Sequence, residues 1–391
     1  MKYLIFNAGS SSLKVAILDS NERCEVASAA ADWAGQATNY EFTSPDKTIR
    51  QTVNWRDPAA AVARSLADMR VAFPAWFTGR DAIAVVGHRV VHGGDFSEAM
   101  LVTPHVREQL GELVGLAPLH NPPSLAALDQ ALELLPAAQH IVCFDTSFHQ
   151  TKLAAASRYA VPRQWVDRYR IRRYGFHGLS YAYNTRRAGE MLGGHKRLVI
   201  CHLGHGCSAS AVRDGHCVDT TMGFTPLEGL MMATRSGSID VEAVFYLQRE
   251  YGLTPQEIRN QLNRHSGLLG VSETSADMRE VLSAAHAGDQ RARLAIDMYC
   301  HRVRQAIGAL AVTLGGVDAL VFTAGVGEYS ADIRALTCRG IDCLGLHLDP
   351  LANENCHADQ DIATTDSAAR ILVIHTREDL SMLDMISGCS H

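Results

Sequence analysis

The feature that most constrains the fold is one pattern that occurs twice in the chain. Residues 4–16 and residues 199–211 each contain a short apolar run, a turn of small residues and a second apolar run. This pattern is typical of a β-hairpin whose turn is too small to block an incoming anion, because successive backbone N–H groups in such a turn form an anion-binding nest. Two copies, one opening each half of the chain, predict two similar domains that grip one polyanion, and nucleotide phosphates in an interdomain cleft fit this best.

Composition excludes several other classes of protein. A chain of 391 residues with 47% hydrophobic and 20% charged residues is typical of a globular protein with two domains. The net charge of −6 gives no basic field that would recruit nucleic acid or an anionic membrane. No apolar run approaches the ~20 residues that span a bilayer, and no secretory signal is visible at the N-terminus. The ten cysteines contain no Cys-x-x-Cys pair, which favours reduced thiols and a cytoplasmic location over disulfides or a metal site.

Strand and helix patterns alternate along the chain, which predicts an α/β fold. Besides the first hairpin at 3–19, strands are expected at 82–87, 140–144, 197–201, 319–322 and 370–374, and helices at 59–70, 121–135, 241–250, 255–263, 290–314 and 378–387. The polar stretch up to about residue 56 is predicted to be irregular, and 323–328 to be a turn. The boundary between the two halves is expected near 145–150.

Polar residues cluster in the loops and at the predicted strand ends, where α/β sheets place their ligands. Lys14 follows the first small turn and supplies a charge suited to phosphate. Arg89 lies in His-Arg-Val-Val-His-Gly-Gly, and its planar guanidinium suits a carboxylate or a phosphate. Asp145 ends another strand, His177 stands between an aromatic residue and a glycine, and Arg235 lies in a loop of small residues. These side chains are therefore candidates for phosphoryl-transfer chemistry.

Seven segments together resemble the acetate kinase family, within the superfamily of sugar kinases, Hsp70 and actin. The resemblance runs from the first strand to the last helix. Its segments are Asn-Ala-Gly-Ser-Ser-Ser-Leu-Lys at 7–14, Gly-His-Arg-Val-Val-His-Gly-Gly at 87–94, Ala-Pro-Leu-His-Asn-Pro-Pro at 117–123, Phe-Asp-Thr-Ser-Phe-His-Gln-Thr at 144–151, Arg-Arg-Tyr-Gly-Phe-His-Gly at 172–178, Met-Gly-Phe-Thr-Pro-Leu-Glu-Gly at 222–229 and Phe-Thr-Ala-Gly-Val-Gly-Glu at 322–328.

The resemblance implies an α/β fold of two duplicated ribonuclease-H-like (actin-like ATPase) domains with a ligand cleft between them. The first domain would span 1–147, joined by a C-terminal helix at about 379–391. The second, at 148–378, would bind the nucleotide and form the dimer. The implied reaction is reversible transfer of a phosphoryl group from ATP to acetate, with Mg²⁺ (Mn²⁺ also being suitable), in a cytoplasmic homodimer.

The resemblance also implies roles for individual residues. The implied catalytic residues are Asp145, His177, Arg235 and Arg89. The implied substrate-binding residues are Arg89, Val91, Leu119, His120, Phe176 and Pro226, of which Val91, Leu119, Phe176 and Pro226 would surround the acetate methyl group. The implied nucleotide-binding residues are Ser10, Ser12, Lys14, His202, Leu203, Gly204, His205, Gly206, Asp277, Met278, Arg279, Gly325, Val326, Gly327, Glu328 and Tyr329. The implied metal ligands are Asn7 and Glu378.

Four residues depart from the family pattern. His205 and Tyr329 each stand where asparagine is usual, Ser238 replaces an aspartate, and Arg377 replaces an asparagine beside Glu378. These changes are expected to alter phosphate contacts, adenine binding and metal use. Two alternatives to acetate kinase remain open: a propionate kinase, and a nucleotide-binding regulatory protein without catalysis.

Overall fold

The computed structural model describes residues 1–9, 12–33, 37–79, 82–194 and 196–389. The chain folds into two compact units. Unit 1 contains residues 1–147 and 377–391, and unit 2 contains residues 148–376. The C-terminal part of unit 1 therefore begins at Arg377, two residues before residue 379, where it was expected to begin. Glu378 consequently belongs to unit 1.

Unit 1 is built on one mixed sheet with the strand order β5-β4-β3-β2-β1-β6-β8-β7. Its strands are β1 (Lys2–Ala8), β2 (Ser12–Asp19), β3 (Cys24–Asp32), β4 (Thr38–Ser44), β5 (Lys47–Val53), β6 (Val85–Val90), β7 (Met100–Leu101) and β8 (Gln139–Phe144). Its first helices are α1 (Pro58–Ala72), α2 (Pro104–Glu112) and α3 (Asn121–Leu134).

Unit 2 contains the sheet β11-β10-β9-β12-β14-β13. Its strands are β9 (Arg197–Leu203), β10 (Cys207–Arg213), β11 (His216–Thr220), β12 (Ala319–Thr323), β13 (Gln360–Asp361) and β14 (Arg370–Val373). Its helices are α4 (Ala154–Ser157), α5 (Arg163–Tyr169), α6 (Gly178–Leu192), α7 (Val241–Tyr251), α8 (Pro255–Arg264), α9 (Gly267–Ser272), α10 (Met278–His286), α11 (Gln290–Leu314), α12 (Ala324–Tyr329), α13 (Ala331–Cys338) and α14 (Pro350–Glu354). Helix α15 (Glu378–Cys389) then completes unit 1, and 3₁₀ turns occur at Pro74–Trp76, Leu113–Gly115, Ser147–Thr151 and Asp342–Leu344.

The two sheets share one five-strand arrangement. In unit 1, β3, β2 and β1 are antiparallel neighbours, and β1, β6 and β8 are parallel. In unit 2, β11, β10 and β9 are antiparallel, and β9, β12 and β14 are parallel. The repeated sequence pattern thus forms the β1–β2 and β9–β10 hairpins, and the predicted α/β duplication is confirmed.

The core of unit 1 lies on both faces of its sheet. On one face, Leu4, Val15 and Phe42 pack with Val62 and Leu66 of α1. On the other face, α15 approaches β6 so closely that a Cβ on Gly87 would lie 2.2 Å from Ile386 Cδ1. Glycine at this position therefore allows the C-terminal helix to pack directly on the central strands.

Two local predictions were wrong. The stretch before residue 56 was expected to be irregular, but it forms β3, β4 and β5. Its buried positions include the alanines Ala27, Ala29 and Ala31, which carry little strand propensity, so the alternation was hard to detect. The turn expected at 323–328 is largely the short helix α12. The other predicted strands and helices are confirmed, with ends that shift by up to three residues. Among the described residues, no helix combines the length and apolar character that a membrane crossing needs.

Candidate active site

The candidate site in unit 1 forms where its parallel strands end. Asn7 on β1 lies opposite Arg89 on the parallel strand β6, and Asp145 follows the next parallel strand, β8. Parallel strands bring their carboxyl ends to one edge of a sheet, so three residues that are far apart in sequence become neighbours. The structure therefore brings these three predicted residues together.

Arg89 is the centre of this cluster. Its Nε and Nη2 donate to Oδ1 and Oδ2 of Asp145 at 2.8 and 2.6 Å, and its Nη1 donates to Asn7 Oδ1 at 2.8 Å. Burial lowers the pKa of Arg89, but the carboxylates of Asp145 and Glu378 outweigh it and hold that pKa above its ordinary value. Asp145 is 1% exposed and receives a two-pronged hydrogen bond that fixes the guanidinium plane. In this arrangement Asp145 orients Arg89.

Glu378, the first residue of α15, brings a second carboxylate to the cluster. Asn7 Nδ2 donates to Glu378 Oε2 at 3.3 Å, and Arg89 Nη1 lies 4.0 Å from the same oxygen. Mg²⁺ prefers oxygen ligands and is commonly held by one or two carboxylates together with substrate phosphates and water. One partly exposed carboxylate fits such a metal, while Asn7 turns its amide nitrogen to Glu378 and its amide oxygen to Arg89 in this structure. Within the described residues, no group of three or more His, Cys, Asp or Glu side chains forms a complete protein cage.

The first small turn presents a lysine beside this cluster. Lys14 on β2 lies opposite Asn7 in the hairpin register, and its side chain is exposed. Ser12 and Lys14 also line a surface groove of about 540 Å³ over strands β2–β5. Within the turn, Gly9 N donates to Ser12 O at 2.8 Å. Ser10, the remaining predicted residue of this turn, lies outside the described residues.

The substrate residues predicted in unit 1 lie in the segments that follow β6 and precede α3. Val91 is buried, and the next residue, His92, exchanges two backbone hydrogen bonds of 3.0 Å with the Asn121 side chain. His120 is the residue before α3, and Leu119 is 38% exposed. Phe176 and Pro226, the other two predicted pocket residues, are buried in unit 2.

The candidate site in unit 2 is organised around His177. This residue has a φ of 59° in the left-handed region and immediately precedes α6. The segment before it is held by the buried ring of His149, whose Nε2 bonds to Phe176 O at 2.9 Å. Gly175 has a φ of +85°, and a Cβ there would lie 2.6 Å from His149 Cγ, so only glycine fits. Lys152 Nζ donates to the carbonyls of Arg173 and Tyr174.

His177 and His202 form a stacked pair with ring centroids 4.2 Å apart and an interplanar angle of 22°. His177 Nδ1 lies 2.8 Å from Ser208 Oγ, and His202 Nδ1 lies 2.8 Å from Ser180 Oγ. Each imidazole is therefore held at the same ring nitrogen by a serine hydroxyl.

Arg235 lies beside the second small turn. A Cβ on Gly206 would lie 3.3 Å from His177 Nε2 and 3.6 Å from Arg235 Nη1, so both side chains converge on this turn. Arg235 Nη1 donates to Pro226 O at 3.0 Å, and no described carboxylate forms an ion pair with it. Burial lowers the pKa of Arg235 from its ordinary value, but an arginine stays charged. This cation is available to an anionic ligand.

The departure at His205 places a titratable ring on the same turn. Its side chain is exposed, yet partial desolvation and then the charge of Arg235 lower the pKa of His205. The His205 ring consequently stays neutral at lower pH than the ring of an ordinary histidine does.

The predicted nucleotide segment at 325–329 is part of α12, and its Glu328 side chain is turned inward. Glu328 Oε1 accepts from Ala324 N at 2.8 Å and from Thr376 N at 3.1 Å, and Oε2 lies 2.6 Å from His375 Nδ1. Glu328 thus holds the backbone of this segment in place. Tyr329 is 77% exposed.

Arg334 was not predicted from the sequence, although it supports the backbone of this segment. The side chain is 2% exposed and donates to the carbonyls of Gly327 and Glu328 at 3.0 and 2.8 Å and to Asn353 Oδ1 at 2.7 Å. It lies on α13, beyond the glycine-containing motif, and nothing local in the sequence distinguishes a buried arginine from a surface one. The other predicted nucleotide segment, 277–279, begins α10, where Asp277 caps the helix and pairs with the exposed Arg279.

Two further departures have local partners. Arg377 brings a positive charge next to Glu378 in the chain, but its Nη2 donates to Asp379 Oδ2 at 2.7 Å, which offsets that charge. Ser238 Oγ accepts from Gly229 N at 3.1 Å and so closes the loop that carries Arg235.

Comparison with known proteins supports one family. The model of the acetokinase family matches residues 2–384. The chain is 45% identical over 392 residues to an acetate kinase of Rippkaea orientalis, with 97% of each chain covered. Two solved structures, an acetate kinase of Porphyromonas gingivalis and a propionate kinase of Francisella tularensis, align with TM-scores of 0.91 and 0.92 at 35% identity, each covering 99% of both chains.

Proposed function

This chain belongs to the acetokinase family, and we propose that it catalyses reversible, Mg²⁺-dependent phosphoryl transfer from ATP to acetate, giving ADP and acetyl phosphate. The observation that carries the proposal is the convergence of His177 Nε2 and Arg235 Nη1 on Gly206. An imidazole and a guanidinium aimed at a turn of small residues suit the charge that develops on a phosphoryl group during transfer.

The reaction requires little acid–base chemistry. Acetate is already an anion at neutral pH, so it can attack phosphorus without losing a proton. Catalysis then consists of in-line positioning and neutralisation of charge on the phosphoryl oxygens. In this proposal Arg89, held by Asp145, binds the carboxylate or the transferred phosphoryl group, and Arg235 and His177 stabilise the transition state.

The remaining predicted residues receive supporting roles. Asn7 and Glu378 would hold the metal ion, which supplies further neutralisation of phosphate charge when bound. Lys14 and the segments 202–206, 277–279 and 325–329 would contact ATP. Support comes from the partly exposed Glu378 carboxylate and from the Arg235 cation, which forms no ion pair with a described carboxylate.

The proposal is tested by incubating the protein with acetate, ATP and Mg²⁺ and measuring ADP and acetyl phosphate. Both products are expected in equal amounts. Arg89→Ala and Arg235→Ala should each lower turnover by at least ~10², the loss typical of a missing transition-state donor. Arg291→Ala, which removes a 64% exposed arginine paired with Glu273, is the matched control. Absence of acetyl phosphate in the wild type would contradict the proposal, and would favour a regulatory role.

Propionate is a second candidate acceptor, because one aligned structure is that of a propionate kinase. The buried Val91 would limit the space available to the acyl chain. Discrimination of one methylene is worth only ~1–3 kcal/mol, so acetate should be preferred over propionate by a modest factor. Specificity constants for acetate, propionate and butyrate with the wild type and Val91→Ala measure this, and a smaller side chain should favour the longer acids.

We also propose that the protein is a cytoplasmic homodimer formed through unit 2. Helix α7 buries none of its residues, and Val241, Phe245, Tyr246 and Tyr251 are 48–66% exposed. Exposed apolar and aromatic side chains grouped on one helix are commonly covered by a partner. All ten cysteines are free thiols, which suits a reducing compartment. Sedimentation analysis of the wild type and Phe245→Asp tests the dimer, and a wild-type monomer at micromolar concentration would contradict it.

A further inference from the structure

The Ser208 hydroxyl beside His177 is hydrogen-bonded to a second hydroxyl, that of Tyr181. Ser208 Oγ, at 2.8 Å from His177 Nδ1, is also 2.5 Å from the hydroxyl of Tyr181. Tyr181 is completely buried on α6, and its ring packs edge-on against His149 with centroids 5.5 Å apart. The tyrosine is therefore a fixed end to the chain Tyr181–Ser208–His177.

The direction of these hydrogen bonds follows from the buried tyrosine. Burial raises the pKa of Tyr181, although the hydroxyls of Ser208 and Ser210 oppose this, so the phenol keeps its proton at neutral pH. A buried O–H has to be donated within the protein. Among the described residues, Ser208 Oγ is the atom in position to accept the hydrogen bond of the Tyr181 hydroxyl. The nearby Ser210 hydroxyl donates its own proton to Thr220 Oγ1 at 2.8 Å.

Ser208 then has its own proton to donate, and His177 Nδ1 is in place to accept it. A ring nitrogen that accepts a hydrogen bond carries no proton, so the proton of the neutral imidazole resides on Nε2. We propose that Tyr181 and Ser208 are positioning residues that hold His177 as the Nε2–H tautomer, which directs an N–H donor toward Gly206 and the phosphoryl group. The catalytic part of this proposal rests on the proposed function.

His202 is held at Nδ1 by a second chain of two hydroxyl groups, those of Ser180 and Thr376. Thr376 Oγ1 donates to Ser180 Oγ at 2.9 Å, and Ser180 Oγ lies 2.8 Å from His202 Nδ1. A Cβ on Gly204 would lie 3.6 Å from His202 Nε2. Both stacked rings therefore accept at Nδ1 and present Nε2 to the second small turn. In the opposite tautomer, Nε2 would carry a lone pair instead of a proton, and the negatively charged phosphate oxygens would repel that lone pair.

The tautomer can be measured directly on the protein without ligands. Long-range ¹H–¹⁵N correlation of histidine-labelled protein distinguishes Nε2–H from Nδ1–H, and the His177→Gln spectrum assigns the signal. The wild type is expected to show Nε2–H. An Nδ1–H tautomer for His177 in the wild type overturns the proposal, whether or not the protein has acetate kinase activity.

Variants test the effect on catalysis. Ser208→Ala should allow Nδ1–H to form and should lower kcat ~10–100-fold, the cost typical of removing a hydrogen-bond partner that orients a metal-ligating histidine. The KM values for ATP and acetate should change little, because the Ser208 side chain is completely buried. Tyr181→Phe should have a smaller effect in the same direction, since Ser208 could still donate.

Tyr299→Phe is the matched control. Tyr299 is also a buried tyrosine whose hydroxyl contacts β10, at Cys207 Sγ 3.1 Å away, but it has no part in the chain to His177. It should keep the wild-type tautomer and kcat. If Ser208→Ala leaves the tautomer and kcat unchanged, or if Tyr299→Phe lowers kcat as much as Tyr181→Phe, the positioning role is refuted. A wild type with the Nε2–H tautomer but no acetyl phosphate production would refute the proposed function alone.

Discussion

Acidification should destabilise unit 2 through His149, the buried histidine that holds the segment leading to His177. The ring is 2% exposed, and its Nδ1 contacts Cys217 Sγ at 3.1 Å while Nε2 bonds to Phe176 O. Burial, followed by the charge of Lys152, lowers the pKa of His149 from 6.5 to about 3, although the Phe176 carbonyl opposes this. The folded protein therefore binds the His149 proton much more weakly than the unfolded chain does.

The sign and size of the effect follow from proton linkage. Between pH 6.5 and pH 3 the unfolded chain holds a proton on this residue that the folded protein does not, so stability falls as the pH falls. At pH 5 the difference in proton binding is worth roughly 2 kcal/mol, and at pH 7 it is only a few tenths of a kcal/mol. The contribution is thus present above pH 6.5 and is lost progressively below it.

Urea unfolding of the wild type and of His149→Gln, at pH 7 and at pH 5, measures this contribution. Other groups titrate in both proteins, so the change in the free-energy difference between the two isolates His149. The wild type should lose about 2 kcal/mol more than the variant on going from pH 7 to pH 5. A parallel loss in both proteins would show that His149 is not held neutral, and would refute the reasoning.

Four other perturbations have defined outcomes. Arg334→Met should weaken ATP binding more than acetate binding, because it releases the carbonyls that shape α12; equal changes in both KM values would count against this. His205→Asn should remove a pH dependence of the ATP KM that appears on acidification, at lower pH than for an ordinary histidine because burial and Arg235 lower the pKa of His205, and a wild-type profile that stays flat on acidification would exclude such a role. Glu378→Gln should raise the Mg²⁺ concentration needed for half-maximal activity, and an unchanged Mg²⁺ titration would remove it from the metal site. Gly175→Ala should lower the free energy of unfolding by ~1–3 kcal/mol, through a crowded Cβ and a positive φ, and wild-type stability would show that the segment can relax.

Much of the site could be predicted from the sequence because the relevant signals are local. The two small turns, the strands that lead into them and the polar residues at strand ends are contiguous patterns, and the duplication was visible as a repeated string. The family resemblance added roles for Arg89, Asp145, His177 and Arg235. The strands β3 to β5 escaped prediction because alanines on their buried face give a weak alternation.

The supporting residues could not be predicted in this way. Arg334, Lys152 and Tyr181 are buried polar side chains whose partners are distant in the chain or in the backbone, and their own neighbourhoods resemble those of surface residues. Their function depends on which carbonyl or hydroxyl group lies within 3 Å, and a sequence pattern has no information on that distance.

The amino-acid sequence by itself determined the α/β alternation, the duplication and the types of side chain available for phosphate chemistry, because hydrophobic period and turn composition act over a few residues. Tertiary structure alone decided that Asp145 orients Arg89, that Glu328 turns inward and that a serine holds each stacked histidine at Nδ1. These are properties of groups brought together from separate strands and helices, where burial removes water as a competing partner and makes each hydrogen bond specific.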